Sequence, residues 1–147
     1  MSTSSAGPTM TQLRNVRRYT RRVTQEAVAR ILGVCHSQVC TWETGKRTPR
    51  WNTAVALAGA LDTRIYLTDS NGAVLAQDEA IPQALVRIIG DRGPEEVARA
   101  ARVTRTPVRM FCSRARTRPG WVLTATVERY AKVVGCAIVA SPRQVTS

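Results

Sequence analysis

Seven arginines and no acid lie between Arg99 and Arg118: Arg99, Arg102, Arg105, Arg109, Arg114, Arg116 and Arg118. A run this one-sided suits a polyanion, because the guanidinium fork donates paired hydrogen bonds to phosphate oxygens or to the O6 and N7 edge of guanine. Arg105 and Arg109 stand one helical turn apart, where either could read guanine at a gain of about 1–3 kcal/mol of discrimination. Thr106 adds a hydroxyl beside them. Arg102, Arg114, Arg116 and Arg118 read as phosphate contacts. The plainer alternative is a segment that clamps DNA without reading it, since phosphate contacts dominate affinity whatever the sequence.

The whole chain repeats the bias. Lys plus Arg number 22 against 10 acids, a formal charge of +12, and all the cations except Lys46 and Lys132 are arginine. A GC-rich coding sequence would raise the share of arginine over lysine, but it does not account for the net charge, which predicts a polyanionic partner with nucleic acid as first candidate; double-stranded DNA is the expectation once the motif below is added.

Other chemistries find little footing. Cys35, Cys40, Cys112 and Cys136 form no C-x-x-C, and one histidine is too few for the common Cys/His zinc pairs, so no metal or cofactor is expected. Neither an acid pair nor a nucleophile with its base shares a plausible pocket, so enzyme activity is not expected, and no small-molecule ligand is evident. With no leader-like start and no apolar run of about 18 residues, the expected place is the cytoplasm, on the nucleoid through DNA, with free thiols.

The elements that must carry these groups show a repeat. VARILGVCHSQVCTWETGKRTP from Val28 and VARAARVTRTPVRMFCSRARTRP from Val97 share a pattern of apolar, turn and basic positions about 69 residues apart. In the first unit, apolar spacing from Met10 predicts a helix with a basic outer face. Thr24 then caps a helix over Gln25 to Leu32, Gly33 ends it, and a helix over about His36 to Glu43 stops at Gly45 before the basic loop Lys46 to Arg50, where Arg50 is a further phosphate candidate. Trp51 to Leu61 closes the unit.

The second unit follows the same plan. Its helices are expected over Ile81 to Ile89, from Pro94 in an N1 position, over Arg105 to Cys112 behind a Thr104 cap, and over Trp121 to Val134. Between the units, Asn71-Gly72 separates two β-prone runs, a hairpin signal, and Cys136 to Ala140 stands where Ile65 to Leu67 stands in the first unit.

Thr24-Gln25-Glu26-Ala27-Val28-Ala29, Gly33-Val34 and Trp42-Glu43-Thr44-Gly45-Lys46-Arg47-Thr48-Pro49 together resemble the helix-turn-helix family of lambda-type repressors and Cro, also called XRE-like, with nearly every marker present. The resemblance implies base contacts by His36, Ser37 and Thr41, with Gln38 as a further candidate, and phosphate contacts by Gln25, Lys46 and Arg47. Val28, Val34 and Val39 read as core, Trp42 as packing and Glu43 as a brace, while His36 could equally be a solvated surface residue. The second unit departs from the family at Pro94, Arg102, Cys112 and Arg114.

The expected fold is mainly α: two tandem helix-turn-helix domains of about four helices each, with a small antiparallel sheet made of the hairpin and a C-terminal strand. The expected divisions are a flexible arm over 1–9, a first domain over 10–78 and a second, divergent domain over 79–147. The expected function is a sequence-specific regulator, a repressor of bacterial or phage origin, reading an asymmetric operator with two recognition helices. The alternative is an antitoxin-like or oligomerising protein in which only the first domain reads DNA. Open sheet edges could also pair two chains.

Overall fold

The computed structural model describes residues 6–142, so residues 1–5 of the expected arm and residues 143–147 lie outside it. The chain is mainly helical, with one small sheet. Helix α1 (Pro8–Asn15) begins at Pro8, ahead of the Met10 that apolar spacing gives, and runs into a π-turn over Val16–Thr20. Thr9 is fully buried, and its N–H donates to the Glu128 carboxylate at 2.7 Å, which ties this end of the chain to the second half.

Helices α2 (Gln25–Leu32), α3 (His36–Thr44) and α4 (Trp51–Ala60) follow. The Thr24 hydroxyl accepts from the Ala27 N–H, as its cap position requires, and Gly33 takes the left-handed conformation that turns the chain from α2 toward α3. Strand β1 (Thr63–Thr68) alternates Thr63, Ile65 and Leu67 into the core. A turn held by Asp69, whose carboxylate accepts from the Asn71 and Ala73 N–H groups, leads to β2 (Val74–Gln77).

The second half runs α5 (Ile81–Arg92), α6 (Pro94–Ala101), α7 (Arg105–Thr117), α8 (Thr124–Val133) and β3 (Ala137–Pro142). Its element order parallels that of the first half. Arg102 closes α6 as Gly33 closes α2, in the same left-handed conformation (φ 58 and ψ 43 against φ 70 and ψ 31). Val103 then donates to Ala98 as Val34 donates to Ala29, each at 3.0 Å.

Three local expectations need correcting. Helix α7 does not stop at Cys112 but continues to Thr117, because Arg114 stands where Gly45 gives α3 its left-handed stop, and a side chain there favours another helical turn. Thr104 sits in the extended N-cap conformation, but its side chain makes no capping hydrogen bond. Helix α8 starts at Thr124, not Trp121; the longer α7 consumes the intervening chain, and Trp121 is left in a short 3₁₀ turn over Pro119–Trp121.

The sheet order is β2-β1-β3, all antiparallel. In the central pair the first residue of each strand meets the last of the other, Thr63 with Pro142 and Thr68 with Ala137. Antiparallel pairing of this kind has a local two-fold axis, here at the Tyr66 and Val139 pair. A second contact joins the halves in the same reciprocal way. Arg50 and Leu123, the N-caps of α4 and α8, form an antiparallel bridge in which Trp51 donates to Val122 at 2.7 Å and Thr124 donates to Pro49 at 2.9 Å. The buried residues of both halves form one core cluster, with Leu13, Trp51, Leu57, Ile65, Ile81, Leu85, Ile89 and Val108 among its members.

The outer edge of β3 is occupied. The Gln12 amide donates to Ile138 O at 2.8 Å and accepts from Ala140 N–H at 2.7 Å, so one side chain takes the place of a further strand.

Candidate nucleic-acid interface

A buried polar relay fixes the start of α3. Arg17, almost fully buried, donates to both Glu43 carboxylate oxygens at 2.6 and 2.8 Å and to Val23 O at 3.0 Å. Gln25 donates its amide to Glu43 at 2.8 Å, since an ionised carboxylate only accepts, and that leaves the Gln25 carbonyl to accept from His36 Nε2 at 2.9 Å. In a neutral ring this leaves His36 Nδ1 as an acceptor at the exposed first position of α3, suited to an exocyclic base amine. Gln25 is half-buried and holds α3; it is not simply a free phosphate donor.

The other expected base readers differ in freedom. Ser37 and Gln38 are exposed, but the Gln38 carbonyl turns back to accept from the Cys35 N–H at 3.1 Å, which leaves its amide NH₂ free. The Thr41 hydroxyl donates to Ser37 O at 2.6 Å and keeps its lone pairs as acceptors. Ser37, Gln38 and Thr41 floor a groove of about 500 Å³ whose far wall is Arg47, Thr48, Pro49 and Arg50. Expected base and phosphate groups thus share one concavity. Lys46 is exposed on the same loop.

The second half builds a matching groove of about 300 Å³. Pro107 and Met110 hold in α7 the positions that Gln38 and Thr41 hold in α3, Phe111 that of Trp42, and Val122 and Leu123 those of Pro49 and Arg50. The walls are apolar where the first groove is polar. Met110 and Pro107 were not singled out from the sequence as site residues, yet the repeat itself, read position by position from Gln38 and Thr41, would have found them.

Of the expected readers on α7, Arg105, Thr106 and Arg109 are all exposed. Arg105 is not free, however. Its guanidinium donates to Glu95 at 2.6 Å, a pair that joins the start of α7 to the start of α6 much as His36 joins Gln25. Arg105 and Arg109 share a second concavity with Arg92, Pro94, Glu95 and Arg99. Arg114 and Arg116 lie on the added turn of α7, not in a loop; Arg118 is exposed at the C-terminal end of that helix and Arg102 at the end of α6.

The polar relay has no counterpart in the second half. Pro94 and Cys112 replace Gln25 and Glu43, and Cys112 is buried beside Val108, Phe111 and Ala115, with burial pushing its thiol pKa up despite nearby Arg116. The Phe111 and Tyr130 rings, 4.8 Å apart, pack in the same core.

Residues 11–65 match the family model of a helix-turn-helix domain, a DNA-binding fold. The match takes in α2, the Gly33 turn and α3 and ends inside β1; residues 66–142 fall outside it. No curated protein and no solved structure gives a match. Among the described residues, no helix is long and apolar enough to cross a membrane.

Proposed function

We propose that this chain is a sequence-specific regulator of transcription, a repressor, in which α3 and α7 enter the major groove of one duplex and read two unlike half-sites. The observation that carries this reading is the reciprocal antiparallel pairing of the two halves at β1/β3 and at Arg50/Leu123, which supports an approximate two-fold axis between them. Two-fold DNA readers place paired recognition helices about 34 Å apart, one turn of B-DNA. A single chain whose halves pair in this way fits that plan without a second subunit, and the Gln12 plug on β3 removes one edge through which copies could pair.

Base reading falls to His36, Ser37, Gln38 and Thr41 in one half and to Arg105, Thr106 and Arg109 in the other. Phosphate contacts fall to Lys46, Arg47, Arg50, Arg102, Arg114, Arg116 and Arg118. Because the two sets differ in chemistry, the operator is asymmetric. Selection from genomic fragments followed by footprinting tests this: protection over about two helical turns supports two readers, and protection over about one leaves a single active unit.

One observation favours a second reading, in which the second half docks a protein as antitoxin-like proteins do. The α7 groove is lined by Pro107, Met110, Phe111, Trp121 and Leu123, and Met110, Trp121 and Leu123 are exposed. Charge reversal at Arg105 and Arg109 separates the two. Lost operator affinity keeps α7 as a reader, and an unchanged footprint transfers the second half to partner binding.

A further inference from the structure

Between the two grooves stands a ridge that neither recognition helix contributes. Trp121 is 52% exposed, unusual for so large an aromatic, and two guanidinium groups flank its ring, Arg50 at 4.0 Å and Arg118 at 5.2 Å from the centroid. Arg50 borders the α3 groove and Trp121 borders the α7 groove, so the stack forms the wall common to both. Its footing is rigid. Trp51 and Thr124 bind across the Arg50/Leu123 bridge, and the Thr48 hydroxyl accepts from the Ala125 N–H at 3.0 Å. The ridge therefore adjoins the bridge where the two halves meet, on the two-fold axis that the proposed function invokes.

A surface on the axis between two helices in successive major grooves faces the minor groove that separates them. Narrow A·T-rich minor grooves concentrate negative potential and attract arginine, and broad apolar side chains exploit steps that deform easily. We propose that the Arg50, Trp121 and Arg118 ridge contacts the minor groove at the centre of the site and selects its width, making base pairs that neither helix touches part of the recognised sequence. This rests on the reading that α3 and α7 occupy one duplex. Stacking on Trp121 holds both cations over the axis before DNA arrives, which lowers the ordering cost of the contact.

The test uses the full chain and the duplex recovered by fragment selection, with only its central base pairs changed to A·T, G·C or inosine·C. Inosine·C keeps the major-groove pattern of G·C but lacks the minor-groove amine. The expected order is A·T and inosine·C alike, with G·C weaker by about tenfold. Trp121→Ala should abolish that difference while protection of both outer half-sites persists; Arg50→Ala with Arg118→Ala should abolish it too, while weakening both half-sites alike through the lost phosphate contacts. Wild-type protein that protects both half-sites yet ignores the central pairs, or treats inosine·C as G·C, overturns the ridge's role and leaves two-helix docking intact. Protection of the α3 half-site alone overturns the docking geometry and the ridge with it.

Discussion

Arg17 and Glu43 form a two-point ion pair in the core of the first half, at 2.6 and 2.8 Å, with Gln25 and His36 strung from the same carboxylate toward the exposed start of α3. The pair is a structural brace that ends at a proposed base reader. The second half keeps the helix geometry with Pro94, Cys112 and Arg105 in the places of Gln25, Glu43 and His36.

Glu43→Ala should therefore cost about 3–5 kcal/mol of stability, since it leaves the Arg17 guanidinium buried without a counter-charge. Gln25→Ala should cost far less stability but should still lower operator affinity, by freeing His36 from its fixed orientation. Urea unfolding and binding titrations on the same samples check both. Equal stability losses for the two variants would refute the brace.

Arg102 holds a left-handed conformation that costs a side chain about 1 kcal/mol, where the first half uses Gly33. Arg102→Gly should stabilise the protein by about that amount in urea. If Arg102 also contacts phosphate, the same change should weaken DNA binding and lower the salt-dependence slope by about one. Stability and affinity then move in opposite directions, a signature that simple unfolding does not produce.

Burial pushes the Glu128 carboxyl above its usual range, against the partial relief given by the Thr9 N–H. A carboxyl whose folded pKa exceeds its unfolded one favours folding most below the unfolded value and loses that contribution as pH rises through the folded value. Glu128→Gln keeps an acceptor for Thr9 and cannot ionise. The variant should show a flatter dependence of unfolding free energy on pH from 4 upward than the parent, checked by urea melts across that range. A slope unchanged by the substitution would place the carboxyl's titration elsewhere.

Much of this architecture was legible from residue types that act locally. Thr24, Gly33 and Gly45 announce caps and stops through their own backbone chemistry, and Asn71-Gly72 announces the hairpin. The absence of glycine at Arg114 carried the opposite message, a helix that runs on, and it displaced Trp121 from a helix start to the exposed ridge. What spacing could not supply was contact between distant residues. Gln25 was expected at phosphate because the resemblance places it there, but its amide turns inward to a carboxylate on another helix. Arg105 was expected at guanine, and the acid that restrains it lies on the preceding helix. Trp121 had no assigned role because only the β1/β3 and Arg50/Leu123 pairings bring it beside Arg50.

That restraint on Arg105 is itself open to test. Glu95 and Arg105 are both more than half exposed, so their 2.6 Å pair contributes at most about 1 kcal/mol to stability, and water and salt weaken it further. On the proposal that α7 reads DNA, the same acid acts twice against binding: it occupies the fork that guanine would use, and it repels phosphate. Glu95→Gln should leave the unfolding midpoint essentially unchanged and raise operator affinity by about two- to fivefold, a gain well under 1.4 kcal/mol. The gain should vanish in the Glu95→Gln, Arg105→Ala double variant, because there is then no guanidinium to release. A gain that persists without Arg105 would mean that Glu95 acts by general repulsion alone, and Arg105 would lose its place among the base readers.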